Sequence, residues 1–271
     1  MRRLAIRPGG IGDSILGFPA LEHLALGAEL EVWARTEVLP LIHFAQQTAS
    51  IEGTGLGLLG IESPSTELVS RLQSFDEIVT WYGAARDEFR DALSAIHPNV
   101  NYLTALPPDD GLHAADYFAT QVGAPVPAIP KLTLSPNANR LIWIHPFSGS
   151  ARKNWPLDHY QLLARWLENT GRAVQFIAAP HQHLPGARII KNLADLAAHL
   201  AGSSLYIGND SGITHLAAAA GASTLALFGP TNPNLWAPRS PHVKLLIEPD
   251  LDKLSVERVL DATLAQTGFQ T

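Results

Sequence analysis

The run GNDSGITHLAAAAG at 208–221 constrains the fold of this chain more tightly than any other stretch. An apolar strand at 204–207 meets a tight polar turn, and a helix over 213–220 starts at once and closes at Gly221. A second strand at 223–228 follows and ends at another glycine-containing turn, GPTNP at 229–233. Strand, helix and strand in this order predict a parallel crossover. Two strand ends carry small and hydroxyl residues, and one of them opens a helix. Free backbone amides and the helix dipole favour negative charge there, so a diphosphate is the expected guest.

The same alternation runs through the chain. In the first half, strands read at 4–6, 30–34, 77–81 and 101–103, and helices at 14–26, 38–48, 67–74, 86–95 and 112–122. Pro19 is a blemish inside the first helix, and 52–61 is glycine-rich, a loop with one short strand. Pro125, Pro127, Pro130 and Pro136 form a connector with the composition of an interdomain linker. Strands then read at 141–144, 173–177, 204–207, 223–228 and 243–247. The helices between and after them are 157–170, 193–200, 213–220 and an amphipathic 255–267 capped by Ser255. The pattern predicts an α/β fold of two Rossmann-like domains, 1–130 and 131–252, facing a central cleft, with a C-terminal segment 253–271.

Composition narrows the setting. No cysteine is present, which excludes disulfides and thiolate metal sites and suits a reducing cytoplasm. No apolar run approaches the ~20 residues of a membrane span, and the N-terminus reads as a first strand, not a signal peptide. Residues 1–135 hold 8 Lys/Arg against 16 Asp/Glu, and residues 136–271 hold 11 against 9. The acidic half argues against nucleic acid as a partner. The mildly basic half is the one with the anion-binding turns.

Three polar strand ends gather in the second half. After 204–207, Asp210 is placed to cap the helix, Ser211, Gly212 and Thr214 present hydroxyls and amides, and His215 sits one turn in. After 141–144, Ser148, Gly149 and Ser150 form an amide-lined cradle and Lys153 supplies a point charge. The plainer alternative is a capped helix with a buried histidine beside a solvated lysine. In the first half, GGIGD at 9–13 is neither GxGxxG nor a P-loop. Gly10 and Gly12 let another molecule approach the backbone. Asp13 either accepts a proton from an attacking hydroxyl or merely caps its helix.

Three segments resemble glycosyltransferase family 9, the heptosyltransferases of lipopolysaccharide core assembly: RPGGIGDSILGFPALEHL (7–24), HPFSGSARKNWPLDHYQLLARWL (145–167) and GNDSGITHLAAAAGASTLALFGPTNPNLWAP (208–238). The resemblance implies a GT-B fold, with the acceptor on the first domain, the nucleotide-sugar on the second, and a final helix that crosses back to brace the first. It implies metal-independent, inverting transfer with no cofactor, of heptose from ADP-heptose to a glycan or glycolipid acceptor. It places the enzyme in the cytoplasm, at most peripheral at the inner membrane face. On these motifs Asp13 falls as general base, Lys153 on the donor diphosphate, and Asp210, Ser211, Gly212 and His215 on phosphate and ribose.

The chain departs from the family in two places. The acid expected after the second donor-domain strand is missing from AAPHQH at 178–183, where Gln182 or His181 would substitute. The first domain is short and lacks a Lys/Arg cluster for a phosphorylated lipid. Rival readings are an epimerase-like GT-B enzyme and a non-catalytic nucleotide-sugar binder. GDSL-type hydrolases share the Gly12-Asp-Ser and Gly208-Asn-Asp blocks and the Asp110/His113 pair, but in a different order along the chain.

Overall fold

The computed structural model describes residues 1–109 and 111–267. Asp110 of the hydrolase-like pair and the last four residues of 253–271 lie outside them. The chain divides into two compact units, Met1–Ala128 and Ile129–Thr271.

The first unit runs β1 (Arg2–Ile6), α1 (Ile11–Leu16), α2 (Phe18–Leu24), β2 (Glu29–Ala34), β3 (Gln47–Ser50), α3 (Thr66–Gln73), β4 (Glu77–Thr80), α4 (Asp87–Ile96), β5 (Val100–Tyr102) and α5 (Ala114–Gln121). Its five strands are all parallel, in the order β3-β2-β1-β4-β5. Leu4, Ala5 and Ile6 of the central strand are fully buried because helices cover both faces of the sheet. Leu4, Ile6, Trp33 and Ile78 pack on Leu68 and Leu72 of α3 and on Phe89 and Leu93 of α4. Each such side chain contributes roughly 1.5–3 kcal/mol of burial free energy.

The single helix expected over 14–26 is two helices. Pro19 has no N–H to offer an earlier carbonyl, so it sits in the first turn of α2, where that donor is not needed. The Gly17 amide closes α1 on the carbonyls of Asp13 and Ser14, at 3.2 and 3.0 Å. The helix expected over 38–48 does not form. A 3₁₀ turn, Leu39–Leu41, holds Pro40, and strand β3 begins at Gln47. The 52–61 loop holds a 3₁₀ turn, Leu56–Leu58, and an isolated bridge from Leu59 to Glu62 in place of a strand.

The second unit runs β6 (Ile142–His145), α6 (Leu157–Asn169), β7 (Val174–Phe176), α7 (Leu193–Ala201), β8 (Leu205–Asn209), α8 (Gly212–Ala219), β9 (Thr224–Phe228), α9 (Pro233–Trp236), β10 (Val243–Ile247) and α10 (Val256–Gln266). Its parallel sheet is ordered β10-β9-β8-β6-β7. Ile142, Ile144, Leu205, Ile207, Leu225 and Leu227 pack on Leu163 and Leu167 of α6 and on Val256, Val259 and Ala262 of α10. The final helix is thus built into the core of this unit, with the Ser255 hydroxyl capping it at the Arg258 amide. The end of the proline connector and the residues after it are tied down: the amides of Leu132, Asn137 and Asn139 donate to the carbonyls of Ala219, Ala198 and Gly202. A Cβ on Gly202 would lie 2.0 Å from the Asn137 carbonyl oxygen, so this close passage requires glycine.

In each sheet successive strands are added on one side and then on the other, which leaves a switch point. It lies between β1 and β4 in the first sheet and between β6 and β8 in the second. Loops leaving the carboxyl ends of two such strands diverge, and open α/β sheets bind ligands there.

Candidate nucleotide-sugar site

At the second switch point, β8 ends at Asn209 and α8 begins three residues later. The cap of α8 is Ser211, not Asp210: its hydroxyl accepts the Thr214 amide at 3.4 Å. Thr214 in turn donates to the Asn209 carbonyl. Asp210 is thereby released for another task. Its Oδ2 holds Lys153 Nζ at 2.8 Å, with the aspartate side chain 7% and the lysine 35% exposed. Lys153 keeps two further N–H donors and part of its surface for a ligand.

The loop that carries Lys153 is fixed from beneath. The fully buried Asn209 accepts from the Trp155 amide and the Tyr160 hydroxyl, both at 2.9 Å, and donates to the Pro146 carbonyl at 2.8 Å. Trp155 is buried against Tyr160 and donates its indole N–H to the Leu254 carbonyl. One side chain therefore pins the 146–155 loop to the end of β8, with Lys153 next to Asp210. Ser148 closes a local turn, donating to the Ser150 carbonyl and accepting its amide, and leaves Gly149 exposed at the tip.

His215 is buried in the first half of α8. Gln182, in the loop after β7, accepts the Ala179 amide at 2.8 Å and lies beside His145 at the end of β6. Burial lowers the His145 pKa to about 4, against the influence of Gln182, so the imidazole is neutral at physiological pH. The structure thus gathers Ser148, Gly149, Lys153, Asp210, Ser211, Gly212 and Gln182 at the carboxyl ends of β6, β7 and β8. The sequence pattern assigns no role to the side chains of Asn209, Tyr160 and His145. The signal for Asn209 is chemical: a buried Trp and Tyr need partners for their polar ends, and a strand-terminal Asn can supply them.

At the first switch point, Asp13 is exposed in the first turn of α1. It is not a cap; that position is Gly10, with no side-chain bond. A Cβ on Gly9 would stand 2.9 Å from the Asp13 Cβ, so Gly9 is the glycine this turn requires. Gly10 and Gly12 flank the start of the helix. Ser14 is 2% exposed and donates to the Gly9 carbonyl, which removes it as a hydrolase nucleophile. A cavity of about 380 Å³ opens at the ends of β4 and β5, with Arg86 and Arg90 in its lining beside Trp81 and Tyr102. Two arginines of the first unit thus share one cavity, Arg86 over Tyr82 and Phe89 and Arg90 over Tyr102. Their four-residue spacing at the start of α4 is the signal that composition obscures.

Among the described residues, no group of three or more His, Cys, Asp or Glu side chains is placed to hold a metal ion, and no helix is long and apolar enough to cross a membrane.

Comparison with known proteins matches this architecture. The chain is 30% identical over 176 residues to lipopolysaccharide heptosyltransferase 1 of Pseudomonas aeruginosa, a match covering 56% of the chain and 48% of that protein. The chain thus spans about half the length of that curated relative. Among solved structures it is similar to E. coli ADP-heptose lps heptosyltransferase II, with a TM-score of 0.77, 18% identity and 98% of each chain covered. It is also similar to an E. coli heptosyltransferase solved with ADP-2-deoxy-2-fluoro heptose, with a TM-score of 0.70, 16% identity and coverage of 98% and 99%. These likenesses show the GT-B fold. The model of glycosyltransferase family 9 (heptosyltransferase) matches residues 114–259, more than half of the chain and all of the strand ends that carry Lys153 and Asp210. The chain belongs to glycosyltransferase family 9.

Proposed function

We propose that this protein is an inverting glycosyltransferase that moves a heptose from ADP-heptose to a glycan or glycolipid acceptor. The observation that carries the reading is the Lys153–Asp210 pair at the start of α8, on the switch point of the family-matched unit. The pair is neutral overall, so the donor diphosphate is held by the remaining Lys153 donors, the first amides of α8 at Ser211–Gly212 and the turn at Ser148–Gly149. His215 and Gln182 take phosphate and ribose, with Gln182 in the place of the missing acid.

Transfer is a single displacement. An acceptor oxygen forms a bond to the anomeric carbon as the bond from that carbon to the diphosphate oxygen breaks, which inverts the configuration. Asp13 takes the hydroxyl proton, and the electron pair leaves on ADP. Charge growing on the leaving diphosphate meets Lys153 and the oriented amides, which can do the work of a divalent cation without a cofactor. The Arg86 and Arg90 cavity supports an acidic group on the acceptor. The enzyme works in the cytoplasm and meets a glycolipid at the membrane face.

Thermal shift with ADP, UDP and GDP tests the donor. ADP is expected to raise the melting temperature most. A clear preference for UDP contradicts the ADP-heptose reading.

A further inference from the structure

Arg7 follows β1 directly and is 3% exposed, an unusual position for a guanidinium. Its plane is enclosed by aromatic rings, with Phe118 of α5 at 3.8 Å and Trp81, just after β4, at 5.1 Å from the charge centre. A Cβ on Gly17 would lie 2.3 Å from Arg7 Nε, so the glycine at the end of α1 makes room for it. Among the described residues no carboxylate pairs with it at contact distance, and its Nε has no hydrogen-bond partner. Among the described residues the guanidinium makes one hydrogen bond, from Nη2 to the main-chain carbonyl of Asp13, at 3.1 Å.

A methionine or leucine would fill such an apolar slot without the cost of desolvating a charge. Burial does draw the Arg7 pKa down, to about 10, and the nearby Asp13 charge acts the other way, so the group remains a cation at neutral pH. Asp13 itself is exposed, and among the described residues no hydrogen bond holds its carboxylate. Its aim is therefore set by its backbone. That backbone is clamped twice, by the Gly17 amide and by Arg7, on the same carbonyl.

We propose that Arg7 is a positioning residue for Asp13: it fixes the first turn of α1 and places a permanent positive charge behind the carboxylate. The inference rests on the reading of Asp13 as the general base. A misplacement of the base by an ångström is worth about 10²-fold in rate.

The test uses the full chain, ADP-heptose as donor and heptose-deficient lipopolysaccharide as acceptor, with ADP release as the signal. Arg7→Lys and Arg7→Met are made alone and in an Asp13→Asn background, and all are checked for a cooperative thermal transition. Arg7→Met is expected to lower kcat by about 10²-fold, and Arg7→Lys by less, with KM for ADP-heptose unchanged. In the Asp13→Asn background neither is expected to cost anything further, because the group they position is gone. Should Arg7→Met fail to fold, Arg7→Lys alone decides. Wild-type kcat in Arg7→Lys, or an equal loss in both backgrounds, overturns the positioning role. Wild-type turnover by Asp13→Asn alone instead overturns the base assignment beneath it.

Discussion

His145 shows how a single buried side chain couples this site to pH. Its pKa is about 4 in the folded chain against an ordinary 6.5, because burial disfavours the imidazolium. Between those values the unfolded chain binds the proton and the folded chain does not. Stability is therefore undiminished above pH 6.5 and falls as pH drops toward 4, by on the order of 3 kcal/mol. Urea denaturation of the wild type and of His145→Gln at pH 7.5 and 4.5 checks this. The variant is expected to lose less stability on acidification, and parallel losses in the two proteins contradict the assignment. His145 lay within a motif the sequence made conspicuous, yet its state was not legible there. The shift comes from burial at the end of β6, and the contact with Gln182 from another strand's loop opposes it.

At the scale of elements, the strand ends were easier to read than what holds them. The run at 204–228 resolves into β8, α8 and β9 with small shifts of boundary, because continuous apolar strands and a glycine stop are strong local signals. The segment 38–48 failed for an equally local reason. Pro40 confines any helical turn there to Leu39–Leu41, and β-pairing with β2 takes the residues from Gln47 onward. Asn209 was legible only as a turn residue, although its side chain connects β8, the Lys153 loop and α6. Asn209→Ala strips partners from two buried donors, the Trp155 amide and the Tyr160 hydroxyl, at roughly 1–3 kcal/mol each. Tyr160→Phe removes one bond without emptying space and is expected to cost about 1 kcal/mol. Denaturant titration orders the two, and isothermal titration with ADP shows whether the freed loop binds nucleotide more weakly. Equal stability of Asn209→Ala and wild type contradicts the pinning role.

At the scale of the whole molecule, two parallel sheets of different strand order present their switch points to different residues. The first offers an exposed carboxylate on a glycine turn. The second offers a cation, a capped helix start and a hydroxyl-lined loop. Alternation of strands and helices was enough to read both sheets as parallel, but strand order depends on crossovers that pass over β1 and β6, and no local pattern encodes those. The charge imbalance between the halves was legible as a count. The pairing of Asp210 with Lys153 was not, since 57 residues separate them. With donor grip proposed for one unit and proton removal for the other, the two functions separate in a single variant. Asp13→Ala, assayed for ADP binding by isothermal titration and for transfer from ADP-heptose, is the direct measurement. ADP affinity like that of wild type is expected, with transfer lowered by about 10²–10⁴-fold, the usual contribution of a general base. Transfer at the wild-type rate, or ADP affinity lost together with transfer, would contradict it.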